Sequence, residues 1–503
     1  MEYAWWLCLP GVAVIIYWHY TKTFSYWKKK GVHYIEPTIL FGNIKDRMLF
    51  RKSFHEFQLE LYKKFHGYRY AGFFEGRRPS LMIRDPELIR YVLIRDFEHF
   101  TDRPTLRLRH SPYIENMLIN LKGQRWKNVR AVLTPTFTTG KLRAMENLVL
   151  LCGEQLHDYL YKTTDGNNTT EFEMKDLFGR FTMDVIASCA FGVECDSLKQ
   201  PDAEFVKIAS QFNDIPLLHR IGLFAVILLI PQLAKFLPLS FFNTKTMDFL
   251  ADVISRAKKV RENSTSHRRN DFLQLVLDAS HKEPGASVLD DDTIIAQAVL
   301  FLLAGFETSS TLLTFASYEL ALNQDVQDAA RKEVNEVLER NDGSCPYEAL
   351  QDMPYLENVL FETLRKYPPV ARVDRTCTTN YTLPGTDVTL DVGYAVAIPV
   401  MGLHYDPQYF PEPDLFNPDR FLPEEKLKRS PYVYMPFGAG PRNCIGTRFA
   451  LMSTKIAMVH LLKGFVVKPS PKTEVPFQYS KFSMLLKAKN GIWLNVERIN
   501  SAE

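Results

Sequence analysis

The sequence predicts a mostly α chain with small β-sheets (α+β), one large domain behind an N-terminal membrane-anchor helix. Three observations carry that prediction. Helical periodicity dominates the middle and second half of the 503 residues, whereas strand-like runs are few and fall at 68–85, at 382–400 and after 465. No internal repeat, low-complexity linker or Gly/Ser-rich seam divides the chain, although its length alone would allow roughly three domains. Residues 3–20, YAWWLCLPGVAVIIYWHY, carry no formal charge over 18 positions, near the lower limit for a bilayer span. Apolar content of 46% with 24% charged residues excludes a disordered chain, and a net charge of only +3 gives no reason to expect nucleic-acid binding.

The N-terminal run has tryptophan and tyrosine at both ends, as suits two membrane interfaces. Glu2 precedes it and Lys22, Lys28, Lys29 and Lys30 follow, so it lacks the basic leader of a cleaved signal and leaves the rest of the chain on the cytosolic side. The stretch IPLLHRIGLFAVILLIPQLAKFLPLSFF (215–242) is strongly apolar but broken by Pro216, Pro231, Pro238, Arg220 and Lys235. It reads either as a surface segment dipping into the membrane interface or as a pair of core helices. Residues 289–323 read as one long helix, capped by Asp290 to Asp292 and apolar nearly all round, so it should run through the core. Gln297, Glu307 and the hydroxyls of Thr308 to Ser310 speak against a further membrane span there. The seven cysteines (Cys8, Cys152, Cys189, Cys195, Cys345, Cys377 and Cys444) are odd in number and form no C-x-x-C pair, which argues against a zinc site or a disulfide framework. Reduced thiols fit a cytosol-facing protein, and the sequons at Asn167, Asn168, Asn263 and Asn380 read as chance matches.

FGAGPRNCIGTRFALM (437–452) sets Cys444 between a glycine-rich turn and an amphipathic run. Gly438, Gly440 and Gly446 have no Cβ and permit close backbone approach. From Ile445 the pattern turns helical, which puts Cys444 at a helix N-terminus, where the dipole and free N–H groups stabilise a thiolate; Arg442 adds a positive charge. Such a thiol suits a nucleophile or a metal ligand, although an isolated cysteine beside a turn is more often small buried filler. A nucleophile needs a histidine base, and nothing in the sequence brings His404, the nearest one upstream, into reach. The pattern Phe437-x-x-Gly440-x-Arg442-x-Cys444-x-Gly446 is satisfied at all five anchors.

That pattern resembles the haem-binding loop of the cytochromes P450, whose axial iron ligand is a cysteine thiolate. The likeness extends along the chain in the right order. Glu362-Thr-Leu-Arg365, ended by Pro368 and Pro369, resembles the family's Glu-x-x-Arg helix, and FNPDRF (416–421) resembles the segment whose arginine, here Arg420, joins that pair in a buried structural triad. Ala304-Gly-Phe-Glu-Thr-Ser309 resembles the oxygen-binding stretch: small residues leave room for O₂, Thr308 holds activated oxygen and orders water, and Glu307 conducts protons. Read alone, Thr308 and Ser309 would more often bond back to helix carbonyls. Trp126-Lys-Asn-Val-Arg130 resembles the motif that meets a haem propionate, with Arg375 and Arg442 as further propionate candidates. The resemblance thus implies haem b (iron protoporphyrin IX) bound by Cys444 and surrounded by Trp126, Arg130, Arg375, Arg442, Phe437 and Ala304.

By the same resemblance the chain divides into an anchor at 1–21, a hinge at 22–43 and a haem domain at 44–503. It looks closest to insect microsomal members related to the vertebrate drug-metabolising group. That implies a monooxygenase of the endoplasmic reticulum membrane acting on lipophilic small molecules, with NADPH–cytochrome P450 reductase and cytochrome b5 as partners. No Gly-x-Gly-x-x-Gly or flavin motif supplies electrons within the chain. Arg125, Lys127 and Arg130 form a small basic group suited to an acidic partner, unless Arg130 faces the propionate. One departure is the hinge, where HYIEPTILFGN offers only Pro37 and Gly42 in place of a proline-rich run. Aromatic residues near 97–113, 212–242 and 301–306 are candidates for an apolar pocket, or for plain core. A haem-thiolate isomerase or dehydratase, or a non-enzymatic haem sensor, are the competing readings. Thr308 and the anchor argue against the former, and the acid–hydroxyl pair against the latter.

Overall fold

The computed structural model describes residues 11, 14–15, 17–105, 112–164, 169–193, 195–200, 207–208, 211–212, 215–229, 236–237, 240, 242–262, 271–280 and 289–499. Most of the anchor expected at 1–21, Cys8, the sequons at Asn167, Asn168 and Asn263, and parts of the 97–113 and 212–242 stretches lie outside them. Among the described residues the helices of ten or more residues are α1 (Phe54–Lys64), α2 (Gly123–Leu133), α3 (Thr139–Thr163), α4 (Met174–Ile186), α5 (Leu217–Leu229), α6 (Thr244–Glu262), α7 (Asp291–Leu322), α8 (Gln324–Arg340), α9 (Pro354–Lys366) and α10 (Thr447–Leu462). The α+β expectation holds, with helices dominant and three small sheets beside them.

The strands lie where alternation or short apolar runs announced them, with two additions. β1 (Tyr70–Glu75) and β2 (Arg78–Ile83) form an antiparallel hairpin. β3 (Thr169–Glu173) and β4 (Val373–Thr376) were not expected; β5 (Tyr381–Thr382), β6 (Thr389–Leu390) and β7 (Ala395–Ile398) follow, and β8 (Phe465–Pro469) and β9 (Trp493–Arg498) close the chain. The largest sheet runs β1-β2-β7-β4, with β2 and β7 parallel; β3-β9-β8 and β5-β6 are antiparallel.

α7 begins as its sequence demands, with the Asp290 carboxylate accepting the Thr293 N–H at 2.8 Å. Its flanks, Thr293 to Val299 and Ser309 to Ala321, are buried against α4, α6, α9 and α10 in the larger hydrophobic core. It is the one described helix long and apolar enough to cross a membrane, and it crosses the protein instead. Between those buried flanks it opens to an exposed face at Ala304.

A second core lies under the β1–β2 sheet and includes part of the expected hinge. Trp27 is fully buried on Gly72 and its indole N–H donates to Phe73 O at 3.2 Å. Phe74 N–H donates to Asn43 Oδ1 at 2.7 Å, Asn43 N–H returns to Phe74 O, and Gly42 sits at φ +61 where a Cβ would overlap the Phe74 and Gly76 carbonyls. Main-chain pairing to β1 therefore supplies the rigidity that a proline run would otherwise give.

Candidate active site

Cys444 closes a tight loop between Met435 and the start of α10. Its N–H donates to Phe437 O at 2.8 Å, and Asn443 N–H donates to Gly440 O at 3.0 Å. Gly440 has φ +73, and a Cβ there would lie 1.9 Å from the Leu93 carbonyl oxygen, so the loop sits directly on the end of the 91–95 turn. α10 starts at Thr447 with Gly446 as its cap, which leaves Cys444 two residues short of the cap rather than in the first turn. The six cysteines among the described residues are all free, and Cys444 alone of them is exposed. Phe437 is half-buried beside it and packs on the main core.

Around this thiol gather more guanidinium groups than carboxylates. Arg375, on β4, is fully buried and Arg442 is 3% exposed. Arg442 stacks over Trp126, 4.3 Å from the ring centre, and gives one N–H to Leu121 O, while Arg103 donates to Arg442 O at 3.2 Å. Nε and Nη2 of Arg375, and Nε and Nη1 of Arg442, have no hydrogen-bond partner. Burial, and after it the charge of Arg103, pulls both groups down to about 9. The carboxylates that act on the cluster are engaged elsewhere: Asp102 accepts Gly123 N–H at 2.8 Å, and Asp374 is paired with Arg372 at 2.9 Å. Buried cations with unfilled donors are costly unless an anion meets them. A flat dianion with two carboxylates beside a thiolate-ligated metal fits this donor set, and haem is such a group. No three His, Cys, Asp or Glu side chains among the described residues cluster to chelate a bare ion, so a lone cysteine suits a metal that brings its own ring of ligands.

Arg130 is placed differently from its expectation. It donates to Asn443 O at 3.1 Å and to Asn443 Oδ1 at 3.0 Å, and so braces the cysteine loop from α2. Arg125 meets the Thr293 hydroxyl and Lys127 is paired with Glu98 at 2.6 Å, so the three do not form the free basic group expected for docking.

On α7, Ala304 and Thr308 share the open face, one turn apart, and the Thr308 hydroxyl donates to Ala304 O at 2.6 Å. That is the back-bond common to helical hydroxyls. Gly305 does not face the same space: a Cβ there would meet the Ile186 side chain of α4 at 2.4 Å, so its small size serves helix packing. Glu307 is also turned away from Thr308, because successive helical residues point about 100° apart. Its carboxylate lies 3.3 Å from Lys175 Nζ, and that amine also donates to Glu307 O, Ser310 Oγ and Thr311 Oγ1. Burial lowers the Lys175 amine and the Glu307 charge opposes that. Both line a cleft of about 490 Å³ together with Glu173, Asp176, Arg180 and Lys487. The expected aromatic pocket is mostly core: Phe301 packs on Phe272 and Phe137, and Phe212 stacks on Phe242.

Glu362, Arg365 and Arg420 come together. Arg365 forms a two-pronged pair with Glu362, at 2.7 and 2.8 Å, both residues being fully buried, and Arg420 Nε stands 3.4 Å from Glu362 without an aligned N–H. Arg365 also donates to the carbonyls of His404, Pro413 and Leu415. Removing one partner of such a pair costs about 3–5 kcal/mol. His404 completes the link to the cysteine loop, with Nδ1 against Arg365 O at 3.2 Å and Nε2 accepting Met435 N–H at 3.1 Å. Sequence reading missed Arg103, Lys175 and this structural place of His404, because each is defined by partners distant in the chain.

The family model described as Cytochrome P450 matches residues 33–495. The chain is 40% identical to cytochrome P450 6j1 of Blattella germanica over 97% of both chains. It is 39% identical to cytochrome P450 9e2 of the same species, over 98% of this chain and 97% of the relative. It is also 39% identical to the probable cytochrome P450 6a13 of Drosophila melanogaster, over 95% of each. Matches of that length, on a fold whose exposed thiol stands among anion-seeking arginines, leave one conclusion: the chain belongs to the cytochrome P450 family of monooxygenases, which bind haem through a cysteine thiolate.

Proposed function

We propose that this monooxygenase inserts one oxygen atom of O₂ into lipophilic small molecules, either foreign compounds such as plant toxins and insecticides or endogenous hormones and lipids. NADPH electrons arrive through a separate flavoprotein reductase, with cytochrome b5 as a second donor. The observation that carries the site reading is Cys444, the one exposed thiol among the described residues, beside buried guanidinium groups that lack carboxylates of their own. When bound, haem supplies an oxygen-activating iron whose O–O cleavage is favoured by thiolate donation. Cys444 would hold the haem iron through its thiolate, in a loop fixed by the Phe437 carbonyl and by the contact of Gly440 with Leu93. Arg375, Arg442 and Arg103 would receive the propionates, while Trp126 supports the Arg442 plane and Arg130 braces the loop through Asn443. Across the site Ala304 keeps the face of α7 open and Thr308 is the hydroxyl that turns from Ala304 O to order water. Glu307 takes protons from the cleft and passes them toward Thr308 when its carboxylate leaves Lys175.

We further propose that the protein sits on the endoplasmic reticulum membrane. Leu218 is 83% exposed and Leu217, Ile221, Leu229, Phe482 and Met484 are exposed with it. They form one face with the N-terminal helix: Tyr20 donates to Leu229 O, Arg220 to Phe482 O, and Phe50 packs between Phe224 and Phe482. Such a contiguous apolar surface favours the interfacial reading of 215–242 over a core helix pair.

The decisive test is the spectrum of the reduced protein under carbon monoxide. The parent is expected to show the long-wavelength Soret band of thiolate ligation, and Cys444→Ala to lose it. A variant that keeps the band, or a parent without it, sinks the site reading. NADPH oxidation that proceeds without added reductase sinks the electron route.

A further inference from the structure

Residues 116–121 follow a short helix (Pro112–Asn116) but have no regular ladder of their own, and an irregular buried segment must find partners for its main-chain groups. Local turn bonds take the N–H groups of Met117, Asn120 and Leu121, and one distant side chain takes Leu118 N–H and Asn116 O. Gln297 on α7 is fully buried; its Oε1 accepts Leu118 N–H at 2.8 Å and its Nε2 donates to Asn116 O at 2.7 Å and to Thr293 O at 3.1 Å. All of the polar capacity of this amide except one lone pair is thereby used, and two of its three bonds reach across to the segment. The far end of the segment is tied to the cysteine loop, where Arg442 donates to Leu121 O. Between the two ties Ile119 is 44% exposed, while Met117, Leu118 and Leu121 are buried.

Helical phase gives the amide its importance. Gln297 precedes Phe301 by four residues, Ala304 by seven and Thr308 by eleven, so all four fall on one stripe of α7. The stripe that carries the open face at its middle therefore holds the segment two turns earlier. We propose that Gln297 is a positioning residue: its carboxamide sets the register of 116–121 as a wall spanning from α7 to the cysteine loop, and so fixes the size of molecule admitted beside Ala304. The proposal rests on the reading of that face as the substrate side; the clamp itself does not.

The test uses the full chain with haem, as the parent, as Gln297→Met, which keeps the side-chain length and removes all three hydrogen bonds, and as Gln297→Glu, which keeps an acceptor for Leu118 N–H. Hydrogen exchange of peptides covering 112–122 reads the clamp directly. In the Met variant the Leu118 amide is expected to exchange at least about tenfold faster, since a buried N–H left without its acceptor loses that order of stabilisation. The Glu variant is expected to retain most of its protection, and exchange in α9 and α10 to stay as in the parent. Imidazoles bearing alkyl tails of increasing length read the wall. Short-tailed ones should bind the Met variant as they bind the parent, while the dependence of Kd on tail length shifts by about tenfold for the longest. Unchanged exchange at 116–121 in the Met variant, or acceleration spread evenly through α7 and α2, overturns the clamp. Faster exchange with an unaltered tail-length profile overturns the size-setting role. Should the Met variant not fold, the Glu variant decides: Leu118 exchange as fast as in urea-loosened parent overturns the proposal, and retained protection with loss of the Asn116 tie supports it. Absence of the thiolate band in the parent would defeat the site reading separately, leaving the exchange result to stand for the clamp.

Discussion

His404 shows how much a single neutral ring does in this protein. Its Nε2 must carry a lone pair to accept Met435 N–H, and the other nitrogen faces the Arg365 carbonyl, so both partners select the neutral tautomer with hydrogen on Nδ1. Burial, then the charge of Arg365, pulls its pKa down from 6.5 to about 3. His55 is lowered to about 4 and His460 to about 3, again first by burial. The sign of the linkage follows. Above pH 6.5 these rings are neutral in both folded and unfolded chains; below it the unfolded chain takes up protons that the folded one refuses, so stability falls as pH drops toward the folded values. Near pH 5 each ring should have cost about 2 kcal/mol. Unfolding near pH 5, where most carboxylates remain ionised, is expected to take up close to one proton per buried ring, falling to about half a proton at pH 6.5, and His404→Gln to remove one ring's share. A stability profile that stays level from pH 7.5 to pH 5 would contradict this.

At the level of elements, local patterns were legible and distant partnerships were not. α7 was readable because its cap, its apolar run and its polar interruptions are all contiguous, and the cysteine loop because its anchors are spaced within ten residues. β3 was not, since its partner β9 lies more than 300 residues along the chain. Separations of 132 and 313 residues likewise hid the Lys175 partner of Glu307 and the Asn443 partner of Arg130, and so the expected directions of both acidic and basic side chains changed. The glycines of the loop also looked alike in sequence and differ in structure. Gly438 and Gly440 both have φ near +70, yet a Cβ on Gly438 would meet nothing closer than Asn443 Cα at 3.8 Å, whereas on Gly440 it would strike Leu93 O. Gly438→Ala should therefore cost only the left-handed strain, about 1 kcal/mol, and keep the thiolate band. Gly440→Ala has to move the loop off the 91–95 turn and should cost more than about 2 kcal/mol, with a loss of haem content that denaturant melts and the reduced-CO spectrum report together. Equal effects from the two substitutions would mean that the contact with Leu93 does not set the loop.

Over the whole molecule the polar and apolar surfaces are distributed by side. The cleft beside Glu307 carries the charged side chains of Glu173, Asp176, Arg180 and Lys487, whereas the exposed apolar residues of α5, Leu49, Phe482 and Met484 gather where the N-terminal helix meets the body. A single span at the N-terminus would tether the protein but leave its orientation free; the second, apolar contact proposed for the body would fix which side faces lipid. Trp27, buried on Gly72, and the main-chain pairing of residues 34–43 with β1 hold the chain after residue 26 against the sheet. Chain lacking residues 1–21 is thus expected to retain measurable binding to phospholipid vesicles, because α5 and the 482–484 turn still bury side chains worth about 1.5–3 kcal/mol each when fully withdrawn from water. Leu218→Glu combined with Phe482→Glu should release that truncated protein, lowering its partition by at least about tenfold while the thiolate band is kept. Vesicle sedimentation at two salt concentrations separates this from charge attraction, since apolar docking does not weaken as salt rises. Retained partition after both substitutions would place the membrane contact elsewhere on the body and leave the exposed face of α5 without that role.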